Sequence, residues 1–447
     1  MKKISRRKFI QASALTGIVG GIAATGVYKV TEFSSNAEGR IVIIGGGAAG
    51  LSMAALLQRW LKKPNITIID PSDKQFYQPG FTLVASGVYK PKDVWKQQEK
   101  CIPNKAKWIK DSVITLNPER KNIRTKNNGE IEYDFLVLTP GIQINWNLVE
   151  GITHRTLGEG NAHSIYDFEG AQKTWSAIQN FSKTGGKAIF TDTYTKHKCG
   201  GAPKKICLLT DDYMRKQKTR DSGVLDFYTA DPILYDVPHY TPRLEQIYEE
   251  RNVDITLNTR VKGIDTKHKR VYLERNWSNN ENDVTEIVED YDFLHFTPPM
   301  SAPDFVKESG LSWQEGGLAA EGWVEVDKET LIHPRYPNII CLGDCAGIPT
   351  SKTSAAIRKQ VPIAAKNLIL TMENKEPMEK YNGYAACPII TDYGHVLLCE
   401  FDYNKNPQPS FPFSIMDMSK EQYAAWQLKT KVLKPLYFHG MINGYGF

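Results

Sequence analysis

The segment Gly39–Trp60, GRIVIIGGGAAGLSMAALLQRW, decides the fold. Ile41–Ile44 is an unbroken branched-aliphatic run, as expected of a strand buried on both faces of a parallel sheet. Gly45, Gly47 and Gly50 then fit the G-x-G-x-x-G spacing, and an Ala- and Leu-rich run suited to a helix follows. In such a unit the first glycine permits a tight turn, the second lets a pyrophosphate approach the backbone, and the third lets helix and strand pack closely. The phosphates sit against the free N–H groups of the helix N-terminus. NITIID (Asn65–Asp70) supplies the second strand, and Asp70 stands where an acid accepts ribose hydroxyls.

Two distant segments extend this unit. YDFLVLTPGIQ (Tyr133–Gln143) reads as an apolar strand ending in Thr139-Pro140-Gly141. YPNIICLGDCAG (Tyr336–Gly347) reads as another, ending at Gly343-Asp344, with the helix-like Thr353–Leu370 after it. A Gly-Asp pair alone is a common turn. In this order, after a strand and before a helix, it predicts an FAD site with Asp344 towards the ribityl chain.

A second β-α-β region begins near His154. KAIF (Lys187–Phe190) and VLDFYT (Val224–Thr229) read as strands, and Arg243–Asp265 as a helix followed by a strand. Between the first two lies KHKCGGAPKK (Lys196–Lys205), which has the glycines and proline of a loop opening a helix. No G-x-G-x-x-G follows KAIF. The loop that would cradle a second dinucleotide presents Cys199, so a nicotinamide cofactor is not expected. The predicted class is α/β, with two Rossmann-like dinucleotide-binding domains, one for FAD and one degenerate and NAD-like, plus a C-terminal membrane and quinone-interface segment. The boundaries follow: 1–38 signal and linker, 39–153 FAD domain first part, 154–300 NAD-like domain, 301–375 FAD domain second part, 376–447 C-terminal region.

Composition narrows the function. The chain has 447 residues and a formal charge of +6, and the cations of its first 29 residues (Lys2, Lys3, Arg6, Arg7, Lys8, Lys29) account for all of that excess. A nucleic-acid role therefore gains no support from charge. SRRKFI followed by a weakly apolar run resembles a twin-arginine signal, predicting export to the periplasmic side of the cytoplasmic membrane as a peripheral protein. The seven cysteines include no C-x-x-C, and the nine histidines no H-E-x-x-H, so no metal site is expected.

Taken in order, FYQPGFTLVASG (Phe76–Gly87), KCGGAPKK (Lys198–Lys205), TPPMSAPD (Thr297–Asp304), GWVEVDKETL (Gly322–Leu331), CLGDCAGIPTSKT (Cys341–Thr353), YNGYAACPIITDYG (Tyr381–Gly394) and LCEFDY (Leu398–Tyr403) resemble the sulfide:quinone oxidoreductases, in the branch that includes the mitochondrial enzymes. The resemblance runs from about Gly39 to the C-terminus. It implies oxidation of hydrogen sulfide to sulfane sulfur at a redox pair, Cys199 and Cys387, with or without a bridging sulfur. Two electrons then pass through FAD to a quinone, and a small nucleophile accepts the sulfur. It implies cofactor contacts at Gly45, Gly47, Gly50, Asp70, Gln78, Thr139, Gly141, Gly343, Asp344 and Lys352. A homo-oligomer is compatible with the pattern. Three alternatives stay open: the flavoprotein subunit of flavocytochrome c sulfide dehydrogenase, a type II NADH:quinone reductase, and a non-catalytic flavin-bound sulfur carrier or redox sensor.

The residues suit this chemistry. Sulfide is a soft nucleophile, and thiol–disulfide exchange proceeds by thiolate attack on sulfur. Lys196, Lys198, Lys204 and Lys205 and a helix N-terminus surround Cys199, which favours its thiolate. His197 is a candidate proton handler, and Cys345 a buried residue that could approach the redox site. Cys101, Cys207, Cys341 and Cys399 read as structural. Near the C-terminus, Ser419 with Gln422 predicts a capping box opening a helix. Its apolar face would be Tyr423, Trp426, Val432 and Leu433, with Lys429, Lys431 and Lys434 as a cationic rim. This amphipathic, aromatic end predicts contact with a membrane surface, and Phe411, Phe413, Tyr437 and Phe438 are candidate quinone contacts.

Overall fold

The computed structural model describes residues 33–278 and 283–446. In chain order, β1 (Ile41–Ile44), β2 (Ile66–Ile69), β3 (Ala106–Ile109) and β4 (Phe135–Leu138) precede β5 (Ala162–His163), β6 (Gly186–Thr191), β7 (Gly223–Tyr228), β8 (Val253–Thr256) and β9 (Phe293–His295). Next come β10 (Ile332–His333) and β11 (Tyr336–Cys341), then β12 (Ala385–Asp392) and β13 (His395–Phe401). The principal helices are α1 (Ala48–Trp60), α2 (Phe168–Thr184), α3 (Ala202–Gln217), α4 (Thr241–Glu250) and α5 (Ser354–Met372).

The first sheet has the order β10-β11-β4-β1-β2-β3, parallel except for the β10–β11 pair. Every residue of β1 is buried, which is why its sequence is apolar without alternation. The last strands of this sheet come from residues 332–341, after a complete second sheet has intervened in the chain. That second sheet, β5-β9-β6-β7-β8, is parallel throughout.

Local geometry explains the glycines of the first turn. Gly45 has φ +95°, and a Cβ there would run into the backbone carbonyl of Thr139. A Cβ on Gly50 would run into the carbonyl oxygen of Gly45. The strand–turn–helix corner therefore closes only with glycine at both positions.

The hairpin β12–β13 pairs Cys387 with Cys399, Ala386 with Glu400 and Pro388 with Leu398. Alternation puts Cys387, Ile389, Leu397 and Cys399 on one face and Ala386, Pro388, Leu398 and Glu400 on the other. The first face packs on the start of α3.

The C-terminal helical run differs from the sequence expectation. It starts at Tyr423 with Gln422 as cap residue and no side-chain capping bond. Ser419 Oγ instead donates to Asp417 Oδ1 at 2.5 Å, and Gln422 Nε2 donates to the Asp417 carbonyl at 2.8 Å. The turns Leu428–Val432 and Leu436–Gly440 are π-helical. The extra residue per turn rotates the face that an α-helical wheel predicts. Tyr423 is exposed, while Ala425, Leu428, Lys429 and Thr430 are buried. Among the described residues no helix is long and apolar enough to cross a membrane.

Candidate functional site

One cavity of about 890 Å³ joins the two sheets to the C-terminal run. At one end it is lined by Gly45, Gly47, Asp70, Thr139 and Gly141, at the ends of the first-sheet strands. Gln78, Gly343, Asp344, Lys352, Cys199 and Lys205 also line it, as do Phe411, Phe413, Leu436 and Tyr437. Of the expected cofactor contacts, Gly50 alone does not line it, being packed behind Gly45.

A dinucleotide fits this cradle. Space beside Gly47 is open, so that a phosphate can approach backbone N–H groups at the start of α1. The Asp70 carboxylate is anchored by the N–H groups of Gly46 (2.6 Å) and Ser72 (2.7 Å), which leaves it facing the cavity. Thr139 Oγ1 donates to the carbonyls of Ile44 (2.9 Å) and Gly45 (3.0 Å), fixing the turn. The volume is in the range of cofactor clefts.

Lys352 lies just before α5. Its ammonium donates to the carbonyls of Asp344 (2.6 Å) and Ala346 (3.1 Å) and stands 3.7 Å from the centre of the Trp323 ring. Burial pushes it down to about 8, against the attraction of Asp344. Burial also raises the Asp344 carboxyl above its ordinary value.

The sulfur pair is assembled by three elements. Cys199 sits at φ +53°, a left-handed conformation that costs a non-glycine residue about 1–2 kcal/mol. It is held there by its N–H donating to the Lys352 carbonyl at 3.1 Å and its carbonyl accepting from Ala202 N at 2.8 Å. Its Sγ lies 3.7 Å from Cys387 Sγ and accepts from Lys205 Nζ at 3.0 Å. The two cysteines stand 188 positions apart in the chain and meet because the hairpin strand β12 packs on α3. Cys387 is not on the cavity wall; it lies behind Cys199 on the hairpin face that meets α3.

Charge and burial differentiate the two sulfurs. The contact with Cys387 and the Lys205 ammonium hold the Cys199 thiol well below its ordinary value, overcoming burial. The same contact and burial drive Cys387 well above it. Burial opposes charge on Lys205, yet the two sulfurs keep its ammonium above the usual lysine range. In the reduced pair this arrangement favours the thiolate at Cys199, between the Lys205 ammonium and Cys387, over a thiolate at Cys387.

Gly201 makes this approach feasible. A Cβ there would lie 2.6 Å from Cys387 Sγ and 3.2 Å from Ile389 Cγ1. Gly201→Ala is expected to push the sulfurs apart and to lower sulfide turnover about 10–100-fold, with cofactor content unchanged. Steady-state turnover beside flavin absorbance of the purified variant checks this.

Several expected neighbours sit elsewhere. Lys204 does not face the sulfur: it forms a buried ion pair with Asp192 at 2.8 Å, and the same carboxylate accepts from Thr229 Oγ1 (2.9 Å) and Ala230 N (3.0 Å). Lys198 Nζ donates to Gln78 Oε1 at 2.8 Å, and Lys196 is exposed. His197 Nδ1 meets the Thr195 carbonyl at 2.9 Å and is not on the cavity wall. Cys345 packs with Cys341, away from the wall. Phe438 is buried against Tyr437 (ring centroids 5.1 Å) and Tyr77 (6.4 Å), outside the cavity. Lys429 is no rim lysine but a buried residue of the wall. Lys434 stands 4.1 Å from the Tyr89 ring centre, and Lys431 is exposed.

Residues that the sequence did not single out include Trp323 under Lys352 and a polar group on the cavity side of the hairpin. There the buried Glu400 accepts from Tyr384 Oη, Ser410 N (3.0 Å) and Ser410 Oγ (2.8 Å). Only the period-2 alternation across Cys387 and Cys399 could have pointed to Glu400.

Known proteins resemble this arrangement. The family Pyridine nucleotide-disulphide oxidoreductase matches residues 39–177. The chain is 37% identical to the mitochondrial sulfide:quinone oxidoreductase of Mus musculus, over 91% of this chain and 86% of that protein. It is 39% identical to the protein of that name from Dictyostelium discoideum, over 94% and 91%. The X-ray structure of the sulfide:quinone oxidoreductase from Aquifex aeolicus superposes with a TM-score of 0.75 at 22% identity, covering 91% of this chain and 92% of that one. The first two names overturn the expectation of twin-arginine export to the periplasm and point to a mitochondrial location. Arg6 and Arg7 lie outside the described residues. A basic, acid-free leader is common to both kinds of targeting segment, so its composition did not separate them.

Proposed function

The chain belongs to the sulfide:quinone oxidoreductase family, and from that premise we propose that its cysteine pair is where sulfide is oxidised. It is an FAD-dependent oxidoreductase that takes electrons from hydrogen sulfide and delivers them to a quinone. What carries the site assignment is the juxtaposition of Cys199 and Cys387 Sγ at 3.7 Å, with Cys199 opening onto the cavity that begins at the Gly45–Gly50 turn.

Gly45, Gly47, Asp70, Thr139, Gly141 and Asp344 would hold FAD, with Gln78 and Lys352 beside it and Gly50 closing the turn from behind. Bound there, FAD supplies the two-electron relay between sulfur and quinone. The protein's own residues set up the sulfur step. With the pair oxidised, HS⁻ approaches Cys387 Sγ from the side opposite Cys199, in line with the S–S bond; that bond breaks, Cys387 becomes a persulfide, and Cys199 leaves as a thiolate on the cavity side. Lys205, 3.0 Å from that sulfur, stabilises the leaving charge, so the better leaving group is the cavity-facing one. A small nucleophile then takes the sulfane sulfur.

We read Phe411, Phe413 and Tyr437 as the quinone contacts; Phe438 packs outside the cavity. Phe411, Ile415, Met416 and Leu436 are exposed, as are Lys420 and Lys431, and apolar and cationic side chains of this kind suit a membrane carrying the quinone. Sulfide-dependent reduction of a short-chain quinone, measured with and without a cytochrome partner, tests the whole reading. Quinone reduction without the partner is the expected result. Electron delivery only to the cytochrome would favour the flavocytochrome alternative, and a persulfide formed without turnover would favour the sulfur carrier.

A further inference from the structure

Glu400 is a buried carboxylate that the sulfur chemistry leaves unused. It is 3% exposed and lines the cavity from the β12–β13 hairpin, on the same face as Ala386, Pro388 and Leu398. Among the described residues three carboxylates line the cavity, and no histidine does. Asp70 and Asp344 belong to the dinucleotide cradle, which leaves Glu400.

The carboxylate is held with an acceptor position to spare. Oε1 accepts from Tyr384 Oη and from Ser410 Oγ at 2.8 Å, and Oε2 accepts from Ser410 N at 3.0 Å. A carboxylate has about four lone-pair positions, so Oε2 can take a proton while all three bonds persist. The backbone is pinned as well: the Glu400 carbonyl accepts from Tyr240 Oη at 3.1 Å and from Gln408 N at 2.9 Å. Burial, and then the charge of Glu400, raise the Tyr384 phenol above its ordinary value, so it stays a donor. Ser410 is half-buried and Phe411, next in the chain, is exposed, so the group opens to water on that side.

Reduction of a quinone needs more than electrons. Each of its two carbonyl oxygens ends as a hydroxyl, so two protons must arrive with two electrons. We propose that Glu400 delivers the proton to the quinone carbonyl that sits beside Ser410 and Phe411. This inference rests on the reading of Phe411, Phe413 and Tyr437 as quinone contacts. The electrons come from the FAD relay of the family reaction. The Oε2–H bond of Glu400 breaks as an O–H bond forms on the quinone, and the carboxylate left behind keeps its three hydrogen bonds. Water on the Ser410 side returns a proton to Oε2, and water also supplies the proton for the second carbonyl. Two electrons and two protons thus convert the quinone to hydroquinone, and Glu400 ends as it began.

In the test, FAD-loaded enzyme is reduced with sulfide and then mixed with a short-chain quinone or with ferricyanide, which takes electrons without protons. For Glu400→Gln, flavin reduction by sulfide and reoxidation by ferricyanide are expected to stay within about twofold of the wild type, while the limiting rate of reoxidation by quinone falls about 100-fold. Glu400→Asp still carries a proton and is expected to recover about tenfold of that loss. The quinone Kd, read from quenching of flavin fluorescence in the oxidised enzyme, is expected to change less than about threefold in Glu400→Gln. A raised Kd or a slowed ferricyanide reaction with an unchanged limiting quinone rate is the mark of a purely structural glutamate and overturns the proposal. Phe411→Ala tests the underlying reading separately, with an expected rise in quinone Kd of about tenfold. An unchanged Kd in Phe411→Ala would overturn that reading, while the ratio of quinone to ferricyanide rates in Glu400→Gln decides the role of Glu400 on its own.

Discussion

Replacing Cys199 or Cys387 by serine is expected to abolish sulfide-dependent quinone reduction, by at least about 10³-fold in kcat/KM, while flavin content stays at the wild-type level. Serine has no sulfur to be attacked, and the exchange step needs both partners, so the two single variants and the double variant should be nearly equally inactive. Cofactor binding should survive because the dinucleotide cradle is built by β1, β2, β4 and α1, none of which depends on the sulfur pair. Cys101→Ser is the control: that thiol packs in the first-domain core and burial raises it above its ordinary value. Full turnover in either single variant would show that the redox pair lies elsewhere.

Replacing Lys205 by methionine is expected to be nearly as damaging, through the ionisation of Cys199. Lys205 is 1% exposed and its ammonium is 3.0 Å from Cys199 Sγ. A hydrogen bond to a charged group contributes about 1.5–3 kcal/mol, so its loss raises the Cys199 pKa by about 1–2 units. The sign is fixed: the ammonium favours the thiolate, so its removal moves the pH midpoint of Cys199 alkylation upward. Just above the wild-type midpoint the rate falls about 10–100-fold, and it recovers as pH rises through the new value. The contact with Cys387 remains in the variant, so Cys199 does not become an ordinary buried thiol. An alkylation profile superposable on that of the wild type would remove Lys205 from the mechanism.

The local units of the fold were legible because local rules govern them. The run Ile41–Ile44, the glycines at 45, 47 and 50, and Asp70 specify a strand, a turn, a helix start and a second strand within 30 residues, each by steric or hydrogen-bonding demands of its own. The loop at Cys199 could be read as an altered phosphate loop for the same reason. The lysines around it could not be sorted. Lys204 and Lys205 are adjacent on α3, about 100° apart around the helix axis, so one turns to Asp192 and the other to the sulfur. Which one does so depends on the neighbours that β6 and the hairpin bring. The cationic rim failed for a related reason: the π-helical turn at Leu428–Val432 rotates Lys429 inward, and no local pattern announces that extra residue.

The sequence by itself determined that this chain carries a dinucleotide cradle, that its second β-α-β unit has a cysteine in place of a phosphate loop, and to which family it belongs. Those properties reside in contiguous segments whose spacing is set by backbone geometry. The tertiary structure alone decided that Cys199 meets Cys387, that Lys205 rather than Lys204 contacts the Cys199 sulfur, and that Lys429 is buried in the wall of the same cavity. These groups lie on a loop, a helix, a hairpin and a C-terminal turn separated by up to 230 residues. Their distances are fixed only when two sheets and the C-terminal run pack around one cavity, because burial and mutual charge, which set their chemistry, do not exist until that packing is complete.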